Sequence, residues 1–249
     1  MNAFTRHGLE HLSPSACNLF IGSPAMFVLE KLLKKRQPVG AAAHRGTAVE
    51  TGVMLGLVEG ASLEECCAKA MSQFDNLCAF LPEHKCEKER AAIPGMIEQG
   101  LKELVPYGPP TDTQGKIEYR FDGLAVPFIG YFDAEWGQHG ILTDLKTLHA
   151  LPSAIKTNHA RQVALYAAAR GGNIDPRVTY ITSKKVATYG LEDVQGHLRS
   201  LFLIGMTIQR FLERSDDPME LASLVIPDVD SFYFNDPVVR HEVFKIWGV

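Results

Sequence analysis

Apolar and polar residues recur along this chain with two different periods, and the changes of period divide it into elements. From residue 12 to residue 35, LSPSACNLFIGSPAMFVLEKLLKK, apolar side chains return at helical spacing behind Ser13, placed as an N-cap, and Pro14 at the first helical position. Pro24 predicts a split into two short helices. A second helical pattern covers residues 41–59. A third covers 62–80, where Ser62 and Glu65 have capping-box spacing. A fourth covers 87–105, with Pro94 placed to interrupt it.

The texture changes at YGPPTDTQG (107–115), a turn-rich stretch of Pro, Gly, Thr and Asp that reads as a linker. KIEYRFDG (116–123) then alternates with period two. LAVPFIGYFDAEW (124–136) reads as its hairpin partner, and GILTDLKT (140–147) as a third, shorter strand after the turn GQHG. Helical spacing returns over 153–170, DPRVTYITSKK and VATYG read as two strands, and 191–214 is strongly amphipathic. Its apolar face carries Leu191, Val194, Leu198, Leu201, Ile208 and Phe211. The last stretch, IPDVDSFYFNDPVVRHEVFKIWGV, holds turn signals and a short helix starting near Asp236 and Pro237.

Helices, a strand meander, a helix, strands and a helix predict an α/β fold with a central mixed β-sheet flanked by helices and a helical N-terminal part packed against it. The expected organisation is one domain over 1–249: a mainly helical part (1–110), a sheet-and-helix core (111–215) and a C-terminal extension (216–249).

Composition narrows the function classes. With 29 acidic against 25 basic side chains the net charge is -4, which excludes nucleic-acid binding by bulk positive charge and requires a local basic patch for any phosphate contact. Cys17, Cys66, Cys67, Cys78 and Cys86 are odd in number and show neither CxxC spacing nor a matching histidine pair, so neither a disulfide framework nor a zinc site is expected. The opening MNAFTRHGLEHLSPS lacks the continuous apolar core of a signal peptide, and no uncharged apolar run reaches membrane-spanning length. A soluble, cytoplasmic protein without membrane partners is therefore expected.

The candidate chemistry sits in GYFDAEW (130–136) and TDLKT (143–147). In a strand, side chains two apart share a face, so Asp144 and Lys146 emerge together while Leu145 points to the core. Asp133 on the neighbouring strand would bring a second carboxylate beside them. Two carboxylates and a lysine suit a hard divalent cation such as Mg²⁺ or Mn²⁺, which takes oxygen ligands and leaves room for water and phosphate. Such an ion lowers the pKa of bound water and neutralises charge on a phosphorane-like transition state, and paired ions about 4 Å apart are common in such sites.

GYFD followed eleven residues later by DLKT resembles the second and third motifs of the PD-(D/E)XK nucleases. The likeness is greatest to the RecB-like branch, which includes CRISPR-adaptation nucleases, the mitochondrial genome maintenance exonuclease and phage exonucleases. That branch carries QxxxY on the helix after the lysine strand, and RQVALYAAA supplies Gln162 and Tyr166. It also carries Gly-x-x-x-His or Gly-x-x-x-Glu on an early helix, and RGTAVE supplies Gly46 and Glu50. The opening LSPSACNLFIGSPAMFVLEKLL is similar to the family's Ser-, Phe- and Pro-containing helical entry. Glutamate rather than histidine at position 50 is the choice of lambda-exonuclease-like members and favours a phage-type relative. Some members carry an iron-sulfur cluster on late cysteines; no cysteine follows Cys86 here, so none is expected.

The resemblance, spanning roughly residues 12–185, implies the restriction-endonuclease-like core and a Mg²⁺- or Mn²⁺-dependent deoxyribonuclease, an exonuclease of phage or recombination and repair type. It implies that Glu50, Asp133, Asp144 and the Leu145 carbonyl hold the metal, with two ions expected, that Lys146 assists the attacking water, and that Gln162 and Tyr166 line the site and touch DNA or order the lysine. Candidate phosphate contacts are Arg45, Lys156, Arg161, Lys184 and Lys185, with KLLKKR (31–36) as a solvated charge run that could track a backbone. Glu118 is a lesser carboxylate candidate, and His44 reads as a helix-start histidine. DNA ends or single strands are the expected partner, with a single-strand-binding or annealing protein and a homo-oligomer such as a ring as further expectations; for a phage-encoded chain the place would be the host cytoplasm. The rival reading from another class is a DNA-binding or assembly protein on the same fold whose catalysis has been lost.

Overall fold

The structure, a computed structural model, describes residues 2–249. In chain order the helices are α1 (Ala3–Arg6), α2 (Pro14–Gly22), α3 (Pro24–Phe27), α4 (Ala41–Glu59), α5 (Leu63–Leu77) and α6 (Glu83–Leu104), and after the strands α7 (Thr157–Ala169), α8 (Val194–Leu212), α9 (Pro218–Ser223) and α10 (Pro237–Trp247). The strands are β1 (Asp112–Thr113), β2 (Lys116–Tyr119), β3 (Phe128–Tyr131), β4 (Ala134–Trp136), β5 (Ile141–Thr147), β6 (Asp175–Ile181) and β7 (Val186–Gly190). Among the described residues no helix is long and apolar enough to cross a membrane.

The chain forms two compact units, each assembled from separated segments. One comprises residues 39–116 and 131–192; the other comprises 1–38, 117–130 and 193–249. The first holds a five-stranded mixed sheet in the order β1-β4-β5-β6-β7, in which only β5 and β6 run parallel. A parallel pair needs a crossover, and α7 supplies it. Alternation along the strands separates two layers. Trp136, Ile141, Leu145 and Ile181 pack on a helical trio of α4, α5 and α6, where Val49, Val53, Phe74, Ile93, Met96 and Ile97 are fully buried. Asp144, Lys146 and Tyr180 alternate to the side covered by α7.

The cap signals act as expected. The Ser13 hydroxyl accepts from Ala16 N, and Ser62 with Glu65 closes a capping box on α5. Pro24 starts α3 directly after α2, and a π-helical turn (Val28–Leu32) continues it. Pro94, expected to interrupt its helix, does not: α6 runs through it from Glu83 to Leu104. The side chains flanking it, Ile93, Met96 and Ile97, are all buried against the helical trio, and that packing outweighs one missing backbone bond.

The other unit is mainly helical. β2 and β3 pair in a two-stranded sheet, with Leu12 bridged to Phe128. α8 buries Leu198, Leu201, Ile204, Ile208 and Leu212, so the expected face is shifted by one residue at its end, from Phe211 to Leu212, and the helix begins at Val194 behind the Asp193 cap rather than at Leu191. α10 starts where Asp236 and Pro237 predict, and its Val239 and Val243 pack with Ala25, Met26, Leu29 and Phe234.

The strand meander is where expectation and structure part. Residues 124–136 do not form one strand. They break at Phe132 and Asp133 into β3, which pairs with β2, and β4, which joins the five-stranded sheet. The linker contributes β1, which pairs with β4. Phe132 is fully buried under the Arg170 guanidinium, 5.0 Å from the ring centroid, and its ring lies 2.2 Å from where a Cβ on Gly115 would stand, so any larger residue at 115 would have to displace a buried ring. This break turns Asp133 inward.

Candidate active site

Four elements bring their side chains together. α4 carries Glu50, the β3–β4 break carries Asp133, β5 carries Asp144 and Lys146, and α7 carries Gln162 and Tyr166. Gly46 stands one helical turn before Glu50, and a Cβ there would lie 3.4 Å from the Thr147 hydroxyl, so the start of α4 runs close against the end of β5. That approach delivers Glu50 to the strand carrying Asp144 and Lys146.

Each carboxylate is held by a specific group. Asp133 Oδ2 accepts from the Leu145 backbone N–H at 2.6 Å, tying the break to the centre of β5. Asp144, with 1% of its surface exposed, receives the Gln162 amide on Oδ1 at 2.8 Å and faces the Lys146 ammonium with Oδ2. Gln162 also reaches the Tyr166 hydroxyl at 2.6 Å, and that hydroxyl donates to the Tyr131 carbonyl at 2.7 Å. One helical turn of α7 therefore clamps both β5 and the strand leading into Asp133. Glu50 shares a hydrogen bond with Asp133 and takes the side-chain amide of Gln114 on Oε1.

The electrostatics follow from crowding three carboxylates into a buried space with one cation. Burial, then the charges of Asp144 and Glu50, push the Asp133 carboxyl well above its usual value. Burial and the charge of Asp144 also raise Glu50, and burial raises Asp144 despite the neighbouring ammonium. Burial opposes the charge on Lys146, yet Asp144, Asp133 and Glu50 more than offset it and hold the ammonium above its ordinary value. Lys146 is thus a cation at neutral pH, a stabiliser of negative charge rather than a base.

A group whose folded-state pKa lies above its unfolded value contributes stability below the unfolded value and loses it as pH rises through the folded one. Ionised Asp133 therefore weighs against the fold at neutral pH. Asp133→Asn keeps the acceptor for Leu145 N–H and removes the charge, so the metal-free variant should melt higher than the natural protein by about 2–4 °C. Melting curves from about pH 5 to 8 should show this difference widening as pH rises; a constant or inverted difference refutes the electrostatic account.

As they lie, no three His, Cys, Asp or Glu side chains among the described residues stand as a formed metal cluster. The donor chemistry nonetheless fits a hard cation. Among the described residues Asp144 Oδ2 is buried without a hydrogen bond of good geometry, its counter-charge is Lys146, and three acidic side chains share that ammonium.

The remaining expected residues are placed differently. Arg45 is buried, and its donors are taken inside the protein. It pairs with Glu89 and donates to the Thr147 carbonyl at 3.0 Å and the Thr147 hydroxyl at 3.3 Å, with His149 alongside at 3.3 Å. That makes it a strut joining α4, α6 and the end of β5, not an open phosphate contact. Lys156, Lys184 and Lys185 are exposed, Lys156 at the N-cap of α7 and the other two at the turn between β6 and β7; Arg161 is half-buried on α7. His44 is half-buried on the first turn of α4. Glu118 lies on β2, exposed and paired with Arg120 at 3.1 Å, and does not join the cluster. In the 31–36 charge run, Lys31 pairs with Glu30 and Lys35 with Glu242.

Three neighbours escape sequence reasoning. Gln114 lies in the supposed linker in a left-handed conformation (φ 54°), with its backbone N–H on the Asp133 carbonyl at 3.2 Å. Tyr180 stands in parallel register with Lys146, and its hydroxyl meets His159 Nδ1 at 2.8 Å and accepts from Lys156 N at 3.0 Å. Burial, then Lys146 and Lys156, push His159 down to about 4, so it is neutral at neutral pH. The spacing of His159 and Gln162, three apart on a helix, is the one signal that could have flagged it.

No family model matches this chain, and neither does any curated protein. Among solved structures it is similar to a crystal structure from Eubacterium rectale named "Putative exonuclease", with a TM-score of 0.58 and 13% identity over 93% of this chain and 88% of that one. At that identity the likeness carries architecture and nothing finer. This chain has a mixed α/β fold with a five-stranded sheet flanked by helices, and the likeness spans nearly its whole length.

Proposed function

We propose that this chain is a metal-dependent nuclease that hydrolyses DNA phosphodiester bonds, an exonuclease of phage or recombination and repair type. The observation that carries the reading is the convergence of Glu50, Asp133, Asp144 and Lys146 at one sheet position, braced by Gln162 and Tyr166. The exonuclease name of its structural neighbour supports the class of activity.

In this reading Mg²⁺ or Mn²⁺ bound by Glu50, Asp133, Asp144 and the Leu145 carbonyl would supply an activated water and a positive charge beside the phosphate. The chain's own residues do the rest. Lys146 places a fixed ammonium against the charge that builds on the phosphoryl oxygens. Gln162 holds Asp144 in one rotamer, and Leu145 N–H does the same for Asp133, so neither carboxylate must reorganise during reaction. Water adds to phosphorus and gives up a proton to solvent, the bond to the leaving oxygen breaks, and the leaving oxygen takes up a proton from solvent. Lys156, Lys184 and Lys185 remain candidates for the DNA backbone.

The test is digestion of end-labelled single- and double-stranded DNA, with 5′-phosphate and 5′-hydroxyl ends, in Mg²⁺ and in Mn²⁺. Metal-dependent shortening from an end is expected. DNA that is bound but left intact under every metal and substrate would turn the reading to a catalytically silent binding protein. Saturating divalent ion should also raise the melting temperature of the natural protein by about 5–10 °C, the effect of about 2.7 kcal/mol at a hundredfold excess over Kd. Asp133→Asn should lose most of that rise in the same thermal-shift measurement.

A further inference from the structure

The solvent-facing side of α4 carries a feature that the carboxylate cluster does not use. Beside Glu50 and Gln114 opens a cleft of about 520 Å³ walled by Met54, Leu55 and Val58, with Lys69 of α5 on its rim. A second depression of about 320 Å³ shares Thr51 and Lys69 with it and continues along α5 past Ser72, Gln73 and Asn76. Residues 51, 54, 55 and 58 fall on one helical face, turned away from the buried Val49, Val53 and Leu57. Val58 is 54% exposed, and Met54 and Leu55 beside it are half-buried.

The cleft offers one carboxylate of the cluster, Glu50, an aliphatic wall and a cation, and the adjoining depression offers hydroxyl and amide groups. That set matches one nucleotide leaving the scissile phosphate. An unpaired base would find the Met54, Leu55 and Val58 wall, its next phosphate Lys69, and the following sugar Ser72 and Asn76. Glu59 also lines the cleft and repels phosphate, which leaves Lys69 as the cation available to it. The cleft lies within the size range of small-ligand pockets. A base inside a duplex has both faces stacked and its edge paired, and would have to be flipped out to enter.

We propose that this cleft is a subsite for the unpaired base next to the scissile phosphate, so that the substrate is a single-stranded end. The assignment rests on the nuclease reading for the identity of the ligand. The wall itself is testable by binding.

Fluorescence anisotropy of a short labelled oligothymidylate, measured in Ca²⁺ with the oligonucleotide recovered intact, provides that test. Its abasic analogue should bind the natural protein about tenfold more weakly, within the range that single-base contacts contribute. Val58→Asp and Lys69→Glu change exposed side chains, and unchanged melting curves would show the fold kept. Each should weaken oligothymidylate binding by about tenfold, and Val58→Asp should leave the abasic analogue unaffected. Equal affinity for base-bearing and abasic strands, or equal loss on both in Val58→Asp, overturns the subsite. Base-dependent binding by a protein that cleaves nothing in Mg²⁺ or Mn²⁺ supports the subsite and overturns the nuclease reading instead.

Discussion

Lys146→Ala is expected to slow phosphodiester hydrolysis by about 10²–10³-fold, the loss that follows removal of one preorganised charge-stabilising donor from an active site. The magnitude follows from where the ammonium stands. Burial opposes its charge, and three carboxylates hold that charge in place, so the cation is present before substrate arrives and needs no reorganisation during the reaction. Gln162 occupies Oδ1 of Asp144, leaving Lys146 as the only group opposite Oδ2. Lys146→Arg should not restore the rate, because a planar guanidinium cannot take the place of a compact ammonium paired with Asp144 Oδ2. The decisive measurement is single-turnover cleavage of an end-labelled oligonucleotide at saturating Mg²⁺, with thermal melting run in parallel. A Lys146→Ala protein that cleaves as fast as the natural one would falsify the site assignment.

Arg45→Ala should lower stability by about 3–5 kcal/mol, the usual result of removing one partner from a buried ion pair. The side chains of Arg45 and Glu89 are only 4% and 13% exposed, so water cannot compensate for the lost partner. The substitution also strips donors from the Thr147 carbonyl and hydroxyl at the end of β5. In a chain of this size that corresponds to a melting temperature lower by about 10 °C. The double change Arg45→Met with Glu89→Leu should recover most of the loss, because two apolar side chains of similar volume avoid the unpaired charge. A phosphate contact would behave oppositely: Arg45→Ala would keep its melting temperature and lose affinity for DNA. Denaturant unfolding and oligonucleotide binding on the same preparations separate the two roles.

The residues of the candidate site differ in how visible they are to local reasoning, and the reason is physical. Asp144 and Lys146 are legible because a strand's period of two places them on one face, a property of the backbone alone. Gln162 and Tyr166 are legible because four residues make one helical turn. Gln114 has no such signal. It reaches Glu50 from a turn whose conformation is set by the packing of Phe132 against Gly115. Tyr180 becomes a neighbour of Lys146 only through the parallel register of β5 and β6, which no local period encodes. Arg45, beside the Glu50 element in sequence, looked available to a ligand until α6 supplied Glu89.

The periodicity of the chain was sufficient to place its helices, its caps and the α/β class, since each depends on interactions within a few residues. It could not show that residues 124–136 divide between two sheets, because a continuous apolar run is equally compatible with one strand or two. Nor could it show that a proline would be carried through α6, where buried neighbours outweigh one absent hydrogen bond. Which carboxylates share a field, which arginine is consumed as a strut and where an apolar wall is left open beside Glu50 are consequences of elements distant in sequence meeting in space. Those relations were decided only by the tertiary structure, because burial and charge proximity act through space and have no period along the chain.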